Sequence, residues 1–465
     1  MVRRVISALS LLLVFSLLMT GCGSSSKGNG DKTSAGNEST TTTGENKSSE
    51  SEKTASENQS TEPVTVVYYT WETTEKDNPI WEDIKRDLNI NVEVKSLPDT
   101  GGNDKEVALD IVQMGGGDLD FRIVTESSPA TRVAKGFLYP LDELIQKYNV
   151  NMKELFGSFA DFVVFDGKTY GLPCRANTVM YFYNKDIFDK EGIPYPEEGW
   201  TWDEFKALVE RLTKGEGSDK QYGYAANSMN MYWAYPAIWS GATWYNEEGY
   251  SNIDDPRFVK ALKEYHDMDE QGLKPSYSSM RSRNSYISVE FLSGKVAIGQ
   301  CLGYVVRDMR NKSQFPFDFE VGIVPPPVME EGASTKATTL GVQMFSINPN
   351  SKHIDEAFQA MLYYMQNGAQ YVAPFNVPPV ANPDEKTLDA FIENTPLSKE
   401  DAMKFFDPRN EYHPVTISGT AAAEYISIVN EEADKYLTGG QSLEDTIKNI
   451  KTRADEAIDK AKAAQ

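Results

Sequence analysis

From residue 64 onward, apolar and polar positions follow two rhythms. Val64-Thr65-Val66-Val67-Tyr68-Tyr69 reads as a buried strand, and Val92 and Val94 alternate in a second. Between them Asn78 and Pro79 open a helix whose Ile80, Ile84 and Leu88 share one face. Another helix starts at Asp104. This strand–helix–strand–helix order predicts an α/β chain, a sheet with helices on both faces. The same pattern returns later. Thr201-Trp202-Asp203-Glu204 is a capping box ahead of Phe205, Leu208, Val209 and Leu212. Asp255-Pro256 opens a helix carrying Phe258, Leu262, Tyr265 and Met268, with Gly272 beyond its end. Asp254 and Asp255 also invite a calcium reading, but a helix cap explains them more simply. Ser442 caps a last long helix with Leu443, Ile447, Ile450 and Ala454 on its apolar stripe. Pro325-Pro326-Pro327 reads as a rigid surface connection.

The first 62 residues follow neither rhythm. Arg3 and Arg4 precede Val5–Met19, apolar except for Ser7, Ser10 and Ser16. That run is shorter than the ~20 residues a spanning helix needs and suits a signal peptide. Met19-Thr20-Gly21-Cys22 resembles a bacterial lipobox, with Met19 where Leu or Val is usual. The reading is a leader over 1–21 and a lipidated Cys22. Of residues 23–62, 26 are Ser, Thr, Gly or Asn, and the only apolar side chains are Ala35 and Ala55. Such a segment cannot offset chain entropy, so 22–62 reads as lipid anchor and disordered tether. The folded body would then be 63–465.

Composition narrows the chemistry. The 465 residues carry 46 basic and 69 acidic side chains, a formal charge of −23. With +2 on the leader and −3 on the tether, −22 stays with the remainder. Nucleic acid and anionic membrane surfaces both select basic stripes, so neither is an expected partner. Three histidines and three cysteines leave little for a zinc site or a disulfide framework. No G-x-S-x-G, G-x-x-x-x-G-K, G-x-G-x-x-G or H-E-x-x-H occurs, so serine-hydrolase, P-loop, dinucleotide and zinc-protease readings lose their support. No cofactor or metal is expected. A carboxylate pair for glycoside hydrolysis stays open, without positive support.

Seven stretches, in order, resemble the extracellular solute-binding proteins of ABC importers, family 1, the group of maltose-binding protein. They are Gly117–Asp120, without the family's proline; Gly136-Phe137-Leu138-Tyr139-Pro140-Leu141-Asp142; Asp166-Gly167-Lys168-Thr169-Tyr170-Gly171-Leu172-Pro173; Tyr183-Asn184-Lys185-Asp186-Ile187-Phe188; Thr201–Phe205; Phe291–Ala297; and Gly440–Glu444. The resemblance implies two α/β lobes joined by crossing hinge segments, near Pro173–Thr178, Ile298–Gly303 and Val377–Ala381. Lobe 1 is expected at about 63–174 and 301–377, lobe 2 at about 178–300 and 380–465. It implies no enzyme, but a monomeric, lipid-anchored binding subunit on the outer face of a membrane, most simply Gram-positive. That subunit would close on a solute and present it to permease subunits.

Nine aromatics between residues 222 and 250 favour a sugar or oligosaccharide, because sugar C–H faces lie flat on aromatic planes: Tyr222, Tyr224, Tyr232, Trp233, Tyr235, Trp239, Trp244, Tyr245 and Tyr250. Most serve equally well as core. Tyr232, Trp233 and Tyr235 are the site candidates, since the matching family segment meets ligand there. Trp71 and Glu72 follow the first strand, at the carboxyl end where open α/β sheets bind ligands. Asp118 and Asp120 occupy the next such loop. Arg175 and Asn177 fall on the first crossing, Gln300 and Tyr304 on or after the second, and Arg409, Tyr412 and His413 in the loop the family folds over its cleft. Cys174 and Cys301 fall near crossings too. A bridge between them and two buried thiols are the two readings, and the thiols are the simpler one. A non-sugar solute, a sensor for a membrane kinase and, more remotely, a glycoside-acting enzyme are the rival functions.

Overall fold

The computed structural model describes residues 62–97, 104–126, 129–228, 231–330 and 332–463. The leader, Cys22 and the tether lie outside the described residues. Among the described residues no helix is long and apolar enough to cross a membrane.

Eleven strands organise the described chain: β1 (Val64–Thr70), β2 (Ile90–Ser96), β3 (Phe121–Val124), β4 (Val164–Phe165), β5 (Lys168–Thr169), β6 (Leu172–Asn184), β7 (Tyr222–Ala225), β8 (Val296–Leu302), β9 (Val321–Val324), β10 (Ala337–Ile347) and β11 (Glu411–Pro414). Nine join one sheet in the order β2-β1-β3-β10-β6-β8-β7, with β9 also on β6 and β11 also on β10. β1 pairs parallel with β2 and β3, as crossover helices α1 (Ile80–Leu88) and α2 (Asp104–Met114) require. β10 returns antiparallel between β3 and β6.

β6 ties the halves together. All thirteen of its residues are buried. Its first half, Leu172–Thr178, pairs with β10, and its second half, Val179–Asn184, pairs with β8 and β9. Two hydrophobic clusters lie along it. The first gathers Val66, Tyr68, Phe121, Phe345, Phe358 and Tyr364 among others. The second gathers Tyr181, Phe205, Trp233, Trp239, Phe258 and Tyr425. Phe391, Leu397, Phe405 and Phe406 pack in the first cluster. The architecture is therefore two α/β lobes sharing strands that cross between them.

Local chemistry explains the element ends. Thr201 and Glu204 make the reciprocal capping box. Asp255 accepts from the Arg257 backbone N–H and from its guanidinium, which makes it a cap. Ser442 Oγ accepts from Asp445 N. At the first helix the boundary shifts by one: Pro79 is the cap residue and Asn78 Oδ1 accepts from Ile80 N. Asp166 and Gly167 both take positive φ, the requirement of the two-residue turn joining β4 to β5. Gly223 lets helix Trp202–Leu212 lie directly on β7, because a Cβ there would sit 2.0 Å from the Val209 carbonyl oxygen.

One expectation needs correction, and the simpler reading of the cysteines holds. The Pro325–Pro327 run is buried, not a surface connection, and the Trp200 indole donates to the Pro325 carbonyl at 2.9 Å. Cys174 and Cys301 are both free and buried. Cys301 stands opposite Met180 on β6, six residues from Cys174, so roughly 20 Å of strand separates them.

Candidate functional site

The strand ends at the crossing carry the first group of side chains. Trp71 follows β1, is buried, and holds the Lys105 ammonium 4.6 Å from its ring centroid. Arg175 on β6 is buried and donates to Glu72 at 3.2 Å and to Glu75. Two carboxylates thus match one guanidinium, and they hold its pKa above the ordinary value against the cost of burial. Asn177, two residues on, is buried with its Oδ1 unpartnered among the described residues.

The second lobe brings aromatics. Tyr232, Trp233 and Tyr235 lie on the helical stretch Tyr232–Trp239 and are all buried. The Tyr232 and Tyr235 rings stand 5.0 Å apart, and Trp233 meets Trp244 edge-on at 6.4 Å. Tyr304 follows β8, and its hydroxyl accepts from Asn227 Nδ2 at 3.3 Å. Gln300 on β8 accepts from the Tyr224 hydroxyl through Oε1, while its buried Nε2 is unpartnered among the described residues. Burial pushes the hydroxyls of Tyr232, Tyr235 and Tyr304 well up, so all three are neutral donors and acceptors.

Other candidates stand apart from these groups. Asp118 is exposed and held by Lys95 and Tyr69; the Lys95 contact lowers its pKa. Asp120 spends both oxygens inside the fold, Oδ2 on Val67 N at 2.8 Å and Oδ1 on Ser351 Oγ at 2.5 Å. Arg409 is exposed and forks onto Asp407 at 2.6 Å. Tyr412 lies on β11, donates to the Phe405 carbonyl at 3.1 Å and packs 5.5 Å from the Phe159 ring; burial raises its hydroxyl to about 12. His413, next on β11, is driven toward the neutral form by burial.

Glu126 escaped the sequence reading. It sits two residues past the carboxyl end of β3, where the rule that singled out Trp71 would have found it. Its Oε2 is buried and unpartnered among the described residues. A Cβ on Gly341 would lie 3.0–3.2 Å from its Cγ, Oε1 and Cδ, so the glycine lets the carboxyl lie close against β10. Gly341 pairs with Asn177, which brings Glu126 beside the crossing. Across from it, Tyr232 and Tyr235 both lie within its electrostatic field. Burial raises the Glu126 pKa from its ordinary value, opposed by the Lys105 charge and a hydrogen bond from Gln343. Gln343 Oε1 and Ser228 Oγ are further buried atoms unpartnered among the described residues. Buried polar atoms are normally satisfied, so this concentration near the crossing suits a ligand rich in hydroxyls. No group of three or more His, Cys, Asp or Glu suited to a metal ion occurs among the described residues.

Comparison with known proteins agrees with this geometry. The chain is 28% identical to a binding protein of Brucella abortus over 335 residues, 70% of this chain and 77% of that one. It is 27% identical to the mannitol-binding protein of Pseudomonas aeruginosa over 227 residues, 47% of this chain and 50% of that one. A sugar transporter from Rhizobium etli, solved in an open conformation, shares the fold with a TM-score of 0.70 and 22% identity, covering 85% of this chain and 99% of that one. The family model for bacterial extracellular solute-binding proteins matches residues 70–371, and the chain belongs to that family.

Proposed function

We propose that this chain is the lipid-anchored, extracellular capture subunit of an ABC importer. It closes its two lobes on a sugar or oligosaccharide and hands it, as a monomer, to a permease. One observation carries the reading. Where β6 passes between lobes, buried polar atoms of Asn177, Gln300 and Glu126 stand unpartnered among the described residues beside the tyrosines of the second lobe. Sugar hydroxyls donate and accept at such atoms, and sugar C–H faces pack on the rings. Relatives and structural neighbours that handle mannitol and sugars support the same ligand class. Family membership supports binding without bond-making. The lobe division at crossings near Pro173–Thr178, Ile298–Gly303 and Val377–Ala381, the lipid on Cys22 and the Gram-positive setting belong to the same proposal.

The test is a thermal-shift panel of mono- and oligosaccharides and sugar alcohols. A ligand at 100 times its Kd adds ~2.7 kcal/mol to stability. Asn177→Ala and Gln300→Ala are expected to weaken that ligand at least ten-fold. A flat panel, or full affinity in both variants, would sink the assignment. Mass spectrometry of the protein from membranes tests the anchor: an unacylated Cys22 removes it.

A further inference from the structure

Resting on the sugar-binding reading, we propose that Glu126 is the charge-selecting residue of the cleft. It admits uncharged polyhydroxyl ligands and turns away their phosphorylated and carboxylated counterparts.

The geometry makes this specific to a few side chains. An anion needs an available cation or a row of N–H donors in a dry site. The guanidinium at the crossing, Arg175, already faces Glu72 and Glu75. Arg307, 5.7 Å from the Tyr304 ring, is paired with Asp308 at 2.9 Å. Lys105 lies over the Trp71 indole. Against these stands Glu126, held over Gly341 with one oxygen buried and close enough to Tyr232 and Tyr235 for its charge to act on their hydroxyls. A carboxylate in that position accepts a hydrogen bond from a ligand hydroxyl. It repels a phosphate or carboxylate brought to the same place, strongly so where water is excluded. Thr125 fixes the turn that carries it, donating to Glu106 from both its backbone N–H at 2.8 Å and its hydroxyl at 2.6 Å. The carboxyl group is therefore positioned by the lobe's own backbone and not by a surface side chain.

Matched pairs test the idea on the whole folded protein: D-mannitol with mannitol 1-phosphate, glycerol with sn-glycerol 3-phosphate, glucose with glucose 6-phosphate, galactose with galacturonate. The readout is the ratio of affinities within a pair, by calorimetry or thermal shift. Only uncharged members are expected to bind the native protein, by at least 100-fold. In Glu126→Gln the gap for the pair that binds is expected to narrow at least ten-fold. Glu385→Gln removes the same formal charge on the outer helix Glu385–Ile392 and is expected to leave the ratio unchanged. An anionic member that binds the native protein as tightly as its neutral partner overturns the inference but not the importer reading. An unchanged ratio in folded Glu126→Gln does the same. Should that variant fail to fold, the native panel decides. Silence across charged and uncharged members alike overturns both.

Discussion

Lys274 is 2% exposed, with its ammonium 4.3 Å from the Tyr265 ring centroid and 3.3 Å from Asp269. Loss of hydration outweighs the Asp269 attraction and lowers its pKa from 10.5 to about 8. Between those pH values the unfolded chain holds a proton that the folded protein has released. Stability from this group therefore rises with pH across that window, is complete above 10.5, and is lost as pH falls through 8. The size is about 3 kcal/mol at most. Urea titrations of the native protein and Lys274→Met, compared from pH 7 to 10.5, are expected to show the native protein gaining on the variant; parallel curves would refute it. Arg310 makes the opposite case, a cation without an ion pair among the described residues. Its guanidinium donates to the carbonyls of Val306, Pro374, Ala390, Phe391 and Glu393, and burial lowers its pKa to about 10. Arg310→Met leaves those carbonyls to find water or go without. A loss of roughly 2–4 kcal/mol is expected, and a loss under about 0.5 would show the clip to be idle. At this scale sequence informs unevenly. Trp71 and Tyr232 could be picked out because strand ends and aromatic density are visible in one dimension. That Asp120 is spent on Val67 and Ser351, 53 and 231 residues away, or that Arg310 gathers carbonyls 64 to 83 residues further on, depends on distant segments meeting.

Elements were far more legible, because their signals are local. The capping box at Thr201, the cap at Asp255 and the Asp166-Gly167 turn all form from neighbours within four residues. Thr201→Ala removes the hydroxyl that accepts from Glu204 N at 3.2 Å, and is expected to cost about 1 kcal/mol in urea unfolding. Gly223→Ala, on the strand beneath the same helix, is expected to cost more, about 3 kcal/mol or above, since its Cβ would strike main chain and not a movable side chain. The reverse order of costs would mean that helix and strand separate more easily than their contact implies. Legibility ended where burial had to be known. Tyr232 and Trp233 are site candidates by their sequence. Both are buried in the second cluster, Trp233 at 4% exposure. Truncating either would create a cavity costing about 3–5 kcal/mol and confuse binding with folding. Tyr232→Phe, which removes only the hydroxyl, is the informative variant.

At the scale of the molecule, one strand serves both lobes. β6 cannot slide, because all its residues are buried and both halves are laddered to different partners. In the capture proposed above, opening would turn about the few residues where its partners change, Asn177 to Val179. Val377 bridges Ala176 there, and Gly303 passes so close to Val377 that a Cβ would sit 2.6 Å from its Cγ2. Gly303→Ala would wedge against Val377 beside the pivot. Motion of this kind moves whole lobes and leaves each core intact. The buried tyrosines and Glu126 would then meet water when the lobes part and lose it when they close. Small-angle scattering on the native protein is expected to show a smaller radius of gyration with the best ligand of the sugar panel than without it. Gly303→Ala is expected to shrink that difference or shift ligand affinity, while its urea midpoint changes less than that of Gly223→Ala. Identical scattering with and without bound ligand would mean that capture occurs without lobe movement. The crossing at Asn177–Val179 would then be a rigid seam and not a hinge.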